Sequence, residues 1–218
     1  MRTIYIVRHG QTEWNLAGRM QGRMDSPLTE LGRQQASANG ALIKSLGGVD
    51  QLWASPAGRT TETAYLVNSH TKAPLQFAEA LLERDCGLWS GMTIEDIREH
   101  HPKAWSEREQ DPYWHQPPQG ENLQDMLLRC HRFLDELFEF DWNALAMVTH
   151  GVMSKVIMKF FLGLDEVECA HLRHPNDLVY RLTITAQDIE THYFLGGGEG
   201  QPGLLRAATS PSSHPGTK

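Results

Sequence analysis

The 218-residue sequence predicts an α/β fold, a three-layer α/β/α sandwich on a mostly parallel central sheet. Two observations lead there. Short apolar runs at 2–7, 50–54, 75–77 and 144–148 have strand length and end in polar or turn residues. Longer segments between them repeat apolar residues at helical spacing, and such alternation favours a parallel sheet with helices on both faces. Two last strands, Leu178 to Thr185 and Ile189 to Leu195, are joined by a turn short enough for an antiparallel pair.

The elements follow in order. Arg2 to Val7 reads as a buried strand. Thr29 can N-cap a helix running through Leu31, Gln35, Ala38 and Leu42 to a stop at Gly47-Gly48. After the strand ending at Ala54, Ser55-Pro56 reads as an N-cap followed by proline at the first helical position, with Arg59 in the first turn. Leu75 to Phe77 is a third strand. From Leu81 to Pro118 the pattern loosens, although Thr93 and Asp96 suit a capping box for a helix towards His100. Asn122 with Asp125 opens a helix carrying Met126, Cys130, Leu134 and Leu137. A strand ending at Val148 leads through Thr149-His150-Gly151 into a helix that stops near Gly163. The domain is expected to span 1–196, and the Gly-, Pro- and Ser-rich stretch 197–218 to form a flexible tail.

Composition narrows the function. Hydrophobic residues make up 40% and charged residues 22%, as in an ordinary globular chain. No apolar run approaches the ~18 residues of a membrane helix, so no membrane partner is expected. Ile4-Tyr5-Ile6-Val7 is too short for a signal-peptide core, and a cytoplasmic location is expected. A net charge of −7 argues against nucleic acid. An acidic chain can still bind an anion if its cations gather in one pocket. Cys86, Cys130 and Cys169 have neither disulfide nor zinc spacing.

Arg8-His9-Gly10 ends one strand, His150-Gly151 ends another, and Arg59 opens the helix after a third. Ligands of open α/β sheets bind beyond strand carboxyl ends. Convergence there would give two histidines and two arginines, a cradle for a doubly charged anion such as phosphate.

These residues resemble the opening signature of the histidine phosphatase superfamily, which also contains the cofactor-dependent phosphoglycerate mutases. The run from Arg8 to Asn15, then Gln21-Gly22, Asp25, Leu28-Thr29 and Gly32, follows its first block. Ser55-Pro56 with Arg59-Thr60, Leu82-Glu83 with Gly87, Trp89 and Gly91, Gly120-Glu121 with Arg129, and Val148 to Gly151 follow the later ones in order, over about residues 3–185. Asn122 stands where the family more often has serine.

The resemblance implies a phosphoglycerate mutase-like sandwich with a small helical cap insertion at about 91–120. It implies a phosphomonoesterase of the histidine acid phosphatase type, with His9 as nucleophile through a phosphohistidine. Arg8, Arg59 and His150 would hold the phosphoryl oxygens, and Glu83 would act as general acid and base, a role served by a raised pKa. Asn15, Gln21, Gly22 and Gly151 would complete the substrate pocket. A carbonyl accepting one ring N–H of His9 would fix its tautomer. No metal or cofactor is expected, because arginine and histidine supply the positive charge.

Other residues are read more plainly. Asp85 is an alternative acid. His100-His101 reads as a solvated helix end, and His171 and His174 as structural or surface groups, since no third metal ligand is evident. Tyr113, Trp114 and His115 are candidate substrate contacts from the cap. The expected partner is a small phosphorylated metabolite, and an edge strand or exposed helix offers a surface for a homodimer. A mutase is the competing reading. It is disfavoured because Trp105 to Gln119 holds Arg108 alone, apart from His115, to grip a second anion. A non-catalytic phospholigand-binding module would lack the nucleophile or the acid, and both are present.

Overall fold

A computed structural model describes residues 1–206. In chain order the elements are β1 (Arg2–Arg8), α1 (Glu13–Leu16), α2 (Glu30–Ser45), β2 (Gln51–Ala54), α3 (Gly58–Thr71) and β3 (Leu75–Phe77). They continue as α4 (Ile94–His100), α5 (Pro102–Gln110), α6 (Leu123–Glu136), β4 (Ala144–Thr149), α7 (Gly151–Leu162) and α8 (Glu166–His171). Strands β5 (Leu178–Ile184), β6 (Ile189–Leu195) and β7 (Gln201–Pro202) follow. Among the described residues the sheet has seven strands in the order β3-β2-β4-β1-β5-β6-β7.

The alternation of side chains along β1 and β4 builds three layers. Tyr5, Val7, Ala146 and Val148 face Ile43 of α2 and Ala64 and Val67 of α3. Their neighbours Ile4, Ile6, Leu145 and Met147 face the other way, onto Met126 and Leu134 of α6 and Val156 and Ile157 of α7. The predicted sandwich is therefore present.

The sheet is mixed rather than mostly parallel. The β3-β2-β4-β1 half is parallel, whereas β5, β6 and β7 continue antiparallel from β1. The cause is the route taken after β4. Helix α7 leads away from the strand carboxyl ends, and residues 163–177 bring the chain back to them. Val179 consequently pairs with Val7, and β5 must run down against β1.

Three local readings need correction. The buried stripe of α2 is Gly32, Ala36, Asn39, Gly40 and Ile43, whereas Leu31 is 50% exposed. Helix α2 packs through its small residues, because a Cβ at Gly40 would press on the Val67 backbone. Ser55 is not a helix cap. The N-cap of α3 is Ala57, without a side-chain bond, and the orphan amide of Arg59 donates instead to Asp25 Oδ1 at 3.2 Å. Finally, residues 201–205 of the tail expected from residue 197 belong to the fold. Strand β7 pairs with β6, Leu204 and Leu205 pack on the core, and residues 207–218 lie outside the described residues.

The insertion expected at about 91–120 contains α4 and α5. Thr93 and Asp96 close the predicted capping box, and Pro102 opens α5 at its first position. Cys86, Trp89, Ile97 and Trp105 form a separate small core beneath these helices. Among the described residues no helix is long and apolar enough to cross a membrane.

The shifted stripe on α2 has a measurable consequence. Ile43→Ala should lower unfolding free energy by about 2–5 kcal/mol in urea titrations. Leu31→Ala should stay within about 0.5 kcal/mol of wild type. A reversed order would mean that α2 is rotated from the orientation described.

Candidate active site

Strand register assembles the centre. Arg8 pairs with Thr149 across the parallel β1–β4 ladder, and the His9 amide donates to the Thr149 carbonyl at 2.9 Å. His9 and His150 thus leave the sheet side by side, with ring centroids 5.4 Å apart, edge to face. Both are buried. The Asn176 side-chain amide donates to the His9 carbonyl at 2.7 Å, and the Gly10 amide donates to Thr63 Oγ1 at 3.1 Å. A side chain at Gly10 would collide with the Gly32 carbonyl, so glycine lets this loop lie directly against α2.

His9 Nδ1 lies 2.8 Å from the Gly10 carbonyl. A carbonyl only accepts, so Nδ1 carries the proton and Nε2 the lone pair. This is the tautomer expected of a nucleophile. Burial, then the charges of Arg8 and Arg59, push the His9 pKa well below the usual histidine value. His150 is shifted in the same direction by burial, Arg59, His9 and Arg8. Its Nε2 lies 2.8 Å from Ser55 Oγ, and its Nδ1 is buried without a partner among the described residues.

The arginines are oriented by oxygens of the chain. Arg8 donates to the His174 carbonyl at 2.8 Å and passes over Gly151 at the start of α7, where a Cβ would crowd its guanidinium. Arg59 donates to the Met24 carbonyl at 2.7 Å, the Gly22 carbonyl at 2.9 Å and Asp25 Oδ1 at 3.0 Å. Gly22 itself has φ +53, a left-handed turn that suits glycine.

Glu83 follows β3 and reaches across to α7. Its Oε1 accepts from the amides of Arg84 at 2.9 Å and Met153 at 3.1 Å, and its Oε2 accepts from Val152 at 3.1 Å. The alternative acid, Asp85, is committed to the Gly87 amide and does not line the cavity. From below, Arg129 donates to the Leu82 carbonyl at 3.0 Å and to Glu121, whose Oε2 accepts from the Asp85 amide. The Glu121–Arg129 pair therefore braces the loop that carries Glu83.

Arg8, His9, Arg59 and Glu83 line one cavity of about 790 Å³, whereas His150 is fully buried and packs edge-on against His9 without itself lining the cavity. Asn15, Gln21, Gly22 and Gly151 line it as well. Asn15 Oδ1 accepts from the Thr12 amide and Gln21 Nε2 donates to Thr12 Oγ1, so both are held in place. The cap candidates do not reach it. Tyr113 is buried and donates to Gln124, His115 stacks on Trp89 at 5.3 Å, and Trp114 is half exposed outside the cavity. Arg108 reaches it from the cap instead. His171, the last residue of α8, and His174, three residues beyond it, both line the cavity but differ in burial. His171 is exposed, while His174 is buried with Nε2 on the Leu178 carbonyl and its pKa pushed down to about 3 by burial.

Sequence reasoning missed several contributors. Ser55 was assigned to a cap although it belongs to His150. Arg84, Lys155 and Asn176 also line the cavity, as do Leu205 and Arg206. The sign of α8, whose end forms part of the wall, was present in the capping box of Asp165 and Glu168.

The profile of the histidine phosphatase superfamily (branch 1) matches residues 4–194. The chain belongs to this superfamily. It is 35% identical over 186 residues to 6-phosphofructo-2-kinase/fructose-2,6-bisphosphatase 1 of Rattus norvegicus, covering 85% of this chain but 38% of that protein. Among solved structures it resembles Bacillus stearothermophilus YhfR, at 30% identity and a TM-score of 0.79, covering 90% of this chain and 97% of that one. A mycobacterial glucosyl-3-phosphoglycerate phosphatase, solved with VO3, superposes at a TM-score of 0.79 with 25% identity, covering 95% and 100% of the two chains.

The buried histidines set a pH dependence of stability. The unfolded chain protonates histidine below about pH 6.5, whereas His9, His150 and His174 stay neutral in the fold. The unfolded state then binds more protons, so stability falls as pH drops below that value. The slope is up to about 1.4 kcal/mol per pH unit for each histidine, and for His174 the fall ends near its folded pKa of about 3. Urea titrations at pH 7.5, 6.5 and 5.5 should show this loss, and a flat profile would contradict the neutral assignment.

Proposed function

We propose that the protein is a phosphomonoesterase that hydrolyses a small phosphorylated metabolite through a phosphohistidine on His9. The observation that carries this reading is the Nδ1 contact of His9 with the Gly10 carbonyl at 2.8 Å, which leaves Nε2 as the nucleophilic lone pair beside Arg8 and Arg59.

In the first step the Nε2 lone pair of His9 forms a bond to phosphorus as the bond to the leaving oxygen breaks. Glu83 gives its proton to that oxygen. Arg8 and Arg59 hold the equatorial oxygens, where charge-assisted bonds act on the charge of the transition state. Ser55 Oγ accepts from the Ala57 amide, at 3.5 Å, so its proton is free for His150 Nε2. His150 then presents Nδ1–H as a donor to a phosphoryl oxygen. In the second step water attacks phosphorus, the P–N bond breaks, and Glu83 takes the water's proton. Inorganic phosphate leaves and both groups return to their starting state. No step draws on a metal ion. The three buried free cysteines accord with a reducing compartment, and the reading places the enzyme in the cytoplasm.

The phosphoglycerate mutase reading keeps one specific support. Its sequence objection was the shortage of cations in the insertion, and Arg84 and Lys155 bring cations to the cavity from other segments. The phosphatase reading is preferred because the similar proteins include enzymes named for hydrolysis, the fructose-2,6-bisphosphatase and the glucosyl-3-phosphoglycerate phosphatase.

Phosphate release from a metabolite panel, run beside conversion of 3-phosphoglycerate to 2-phosphoglycerate, separates the two. Wild type should release phosphate, His9→Ala should release none, and base-quenched wild type should carry one phosphoryl group on His9 by mass spectrometry. Glu83→Gln should slow phosphoenzyme formation by about 10²–10⁴-fold for alkyl esters and by less for p-nitrophenyl phosphate, whose leaving group needs no proton. Equal activity in wild type and His9→Ala would end the proposal.

A further inference from the structure

Lys155 lines the cavity, yet phosphoryl transfer makes no use of it. Gly151, Val152 and Lys155 present one face of α7 to that space. On a helix the Cα–Cβ bond leans towards the N-terminus, so Lys155 starts one turn beyond Gly151 and leans back towards it. That end of α7 is where Arg8 crosses Gly151 and where the Val152 amide donates to Glu83 Oε2.

Two contacts with α8 fix the lysine. The Cys169 thiol donates to its carbonyl at 3.5 Å, and its Nζ donates to the Ala170 carbonyl at 2.9 Å. An ammonium on a last-turn carbonyl is a common helix end. Its company here is not. Arg84 and Arg108 line the same recess, and Lys155 has no carboxylate within 4.0 Å among the described residues. Lys159, one turn further along α7, pairs with Glu166 at 3.5 Å. Burial lowers the Lys155 pKa to about 8; Cys169 and Glu83 oppose the shift, and Arg108 and Arg84 add to it. Two other neighbours do not titrate near that value. Burial pushes the Cys169 thiol up to about 11, and His174 stays neutral with a pKa of about 3. An amine desolvated beside cations is the setting in which lysine attacks carbonyl carbon.

We infer that Lys155 is a carbonyl-capture site, where an aldehyde bearing a phosphate forms a reversible imine with Nζ while its phosphate lies on Arg8 and Arg59. The Nζ lone pair bonds to the carbonyl carbon, the carbonyl π pair moves to oxygen, and a proton passes from nitrogen to that oxygen. The resulting carbinolamine loses its hydroxyl and the second N–H proton as water, leaving C=N. Water reverses both steps. A protonated imine keeps one N–H for the Ala170 carbonyl. Phosphorylated aldehydes would therefore occupy the cavity and exclude other phosphoesters. The inference rests on the phosphate cradle of the reading above and not on its hydrolytic step.

Pyridoxal 5'-phosphate is the probe. Wild type and His9→Ala, which cannot turn the probe over, are incubated with it, reduced with borohydride, digested and mapped by mass spectrometry. Both should carry one reduced adduct, on Lys155, that inorganic phosphate suppresses. Pyridoxal, which lacks the phosphate, should label Lys155 at least about tenfold more slowly. Between pH 7 and 9 the labelling rate of Lys155 should rise about tenfold and level off, against about a hundredfold for Nα-acetyllysine run in parallel. Lys155→Arg, which keeps the cation, should lose the adduct. Adducts confined to other amines, or a Lys155 adduct indifferent to inorganic phosphate or formed equally by pyridoxal, would overturn the inference. A phosphate-sensitive Lys155 adduct on a protein that hydrolyses no ester would uphold this site and end the phosphatase reading. Ester hydrolysis without a Lys155 adduct would do the reverse.

Discussion

The candidate site depends first on the parallel register between β1 and β4. With Val7 opposite Val148 and Arg8 opposite Thr149, the two histidines fall one residue beyond the last rungs of one ladder. A slip of one residue would reverse the faces of Ile4, Ile6, Tyr5 and Val7 and bury none of them correctly. The two hydrophobic cores that sandwich the sheet therefore fix the geometry of the candidate site as a by-product of their own packing. The remaining groups follow from strand order. Arg59 opens the helix after β2, which is the next neighbour of β4, and Glu83 follows β3, the neighbour beyond.

A second constraint separates two kinds of arginine. Arg129 is structural: Glu121 neutralises it, and it ties down carbonyls beneath the Glu83 loop. Arg8 and Arg59 are directed chiefly by carbonyls, which orient a guanidinium without cancelling its charge. Asp25 is the exception, and it is 43% exposed at its side chain, so water screens much of its field. The same unneutralised charge acts on the histidines. Next to two guanidiniums and out of water, neither His9 nor His150 gains by taking a proton. One electrostatic arrangement thus suits an anion and keeps the His9 lone pair free, as the proposed nucleophile requires.

Much of this was legible in the sequence because it is local. Strand ends mark where Arg8, His9 and His150 emerge, and capping boxes mark the starts of α4 and α6. What stayed hidden is non-local or carried by small residues. Asp25 caps α3 from 34 positions away, Asn176 holds His9 from 167 away, and no periodicity encodes either. The face of α2 was misread because Gly32, Ala36 and Gly40 make the contact while the larger Leu31 looks outward. Arg84 lay in a segment without regular spacing. Lys155 lay on a helix whose apolar positions drew attention to its other side.

The division of the cavity has a consequence for how its specificity is built. The phosphoryl end comes from strand ends and helix starts between residues 8 and 151, locked by the sheet register and by backbone bonds. The far wall comes from segments outside the β1–β4 ladder: the cap with its own small core around Trp105, the loop after α8, and residues 204–206. The superfamily match ends at residue 194, yet Leu205 and Arg206 line the cavity, anchored by the Tyr180 hydroxyl and the Arg173 amide, which both donate to the Leu205 carbonyl, and by Glu168, which accepts from Arg206 at 2.9 Å. Changes in these outer segments leave the β1–β4 ladder untouched. A fold organised in this way can exchange one leaving group for another without rebuilding the proposed phosphoryl centre, because the two ends are built by different segments.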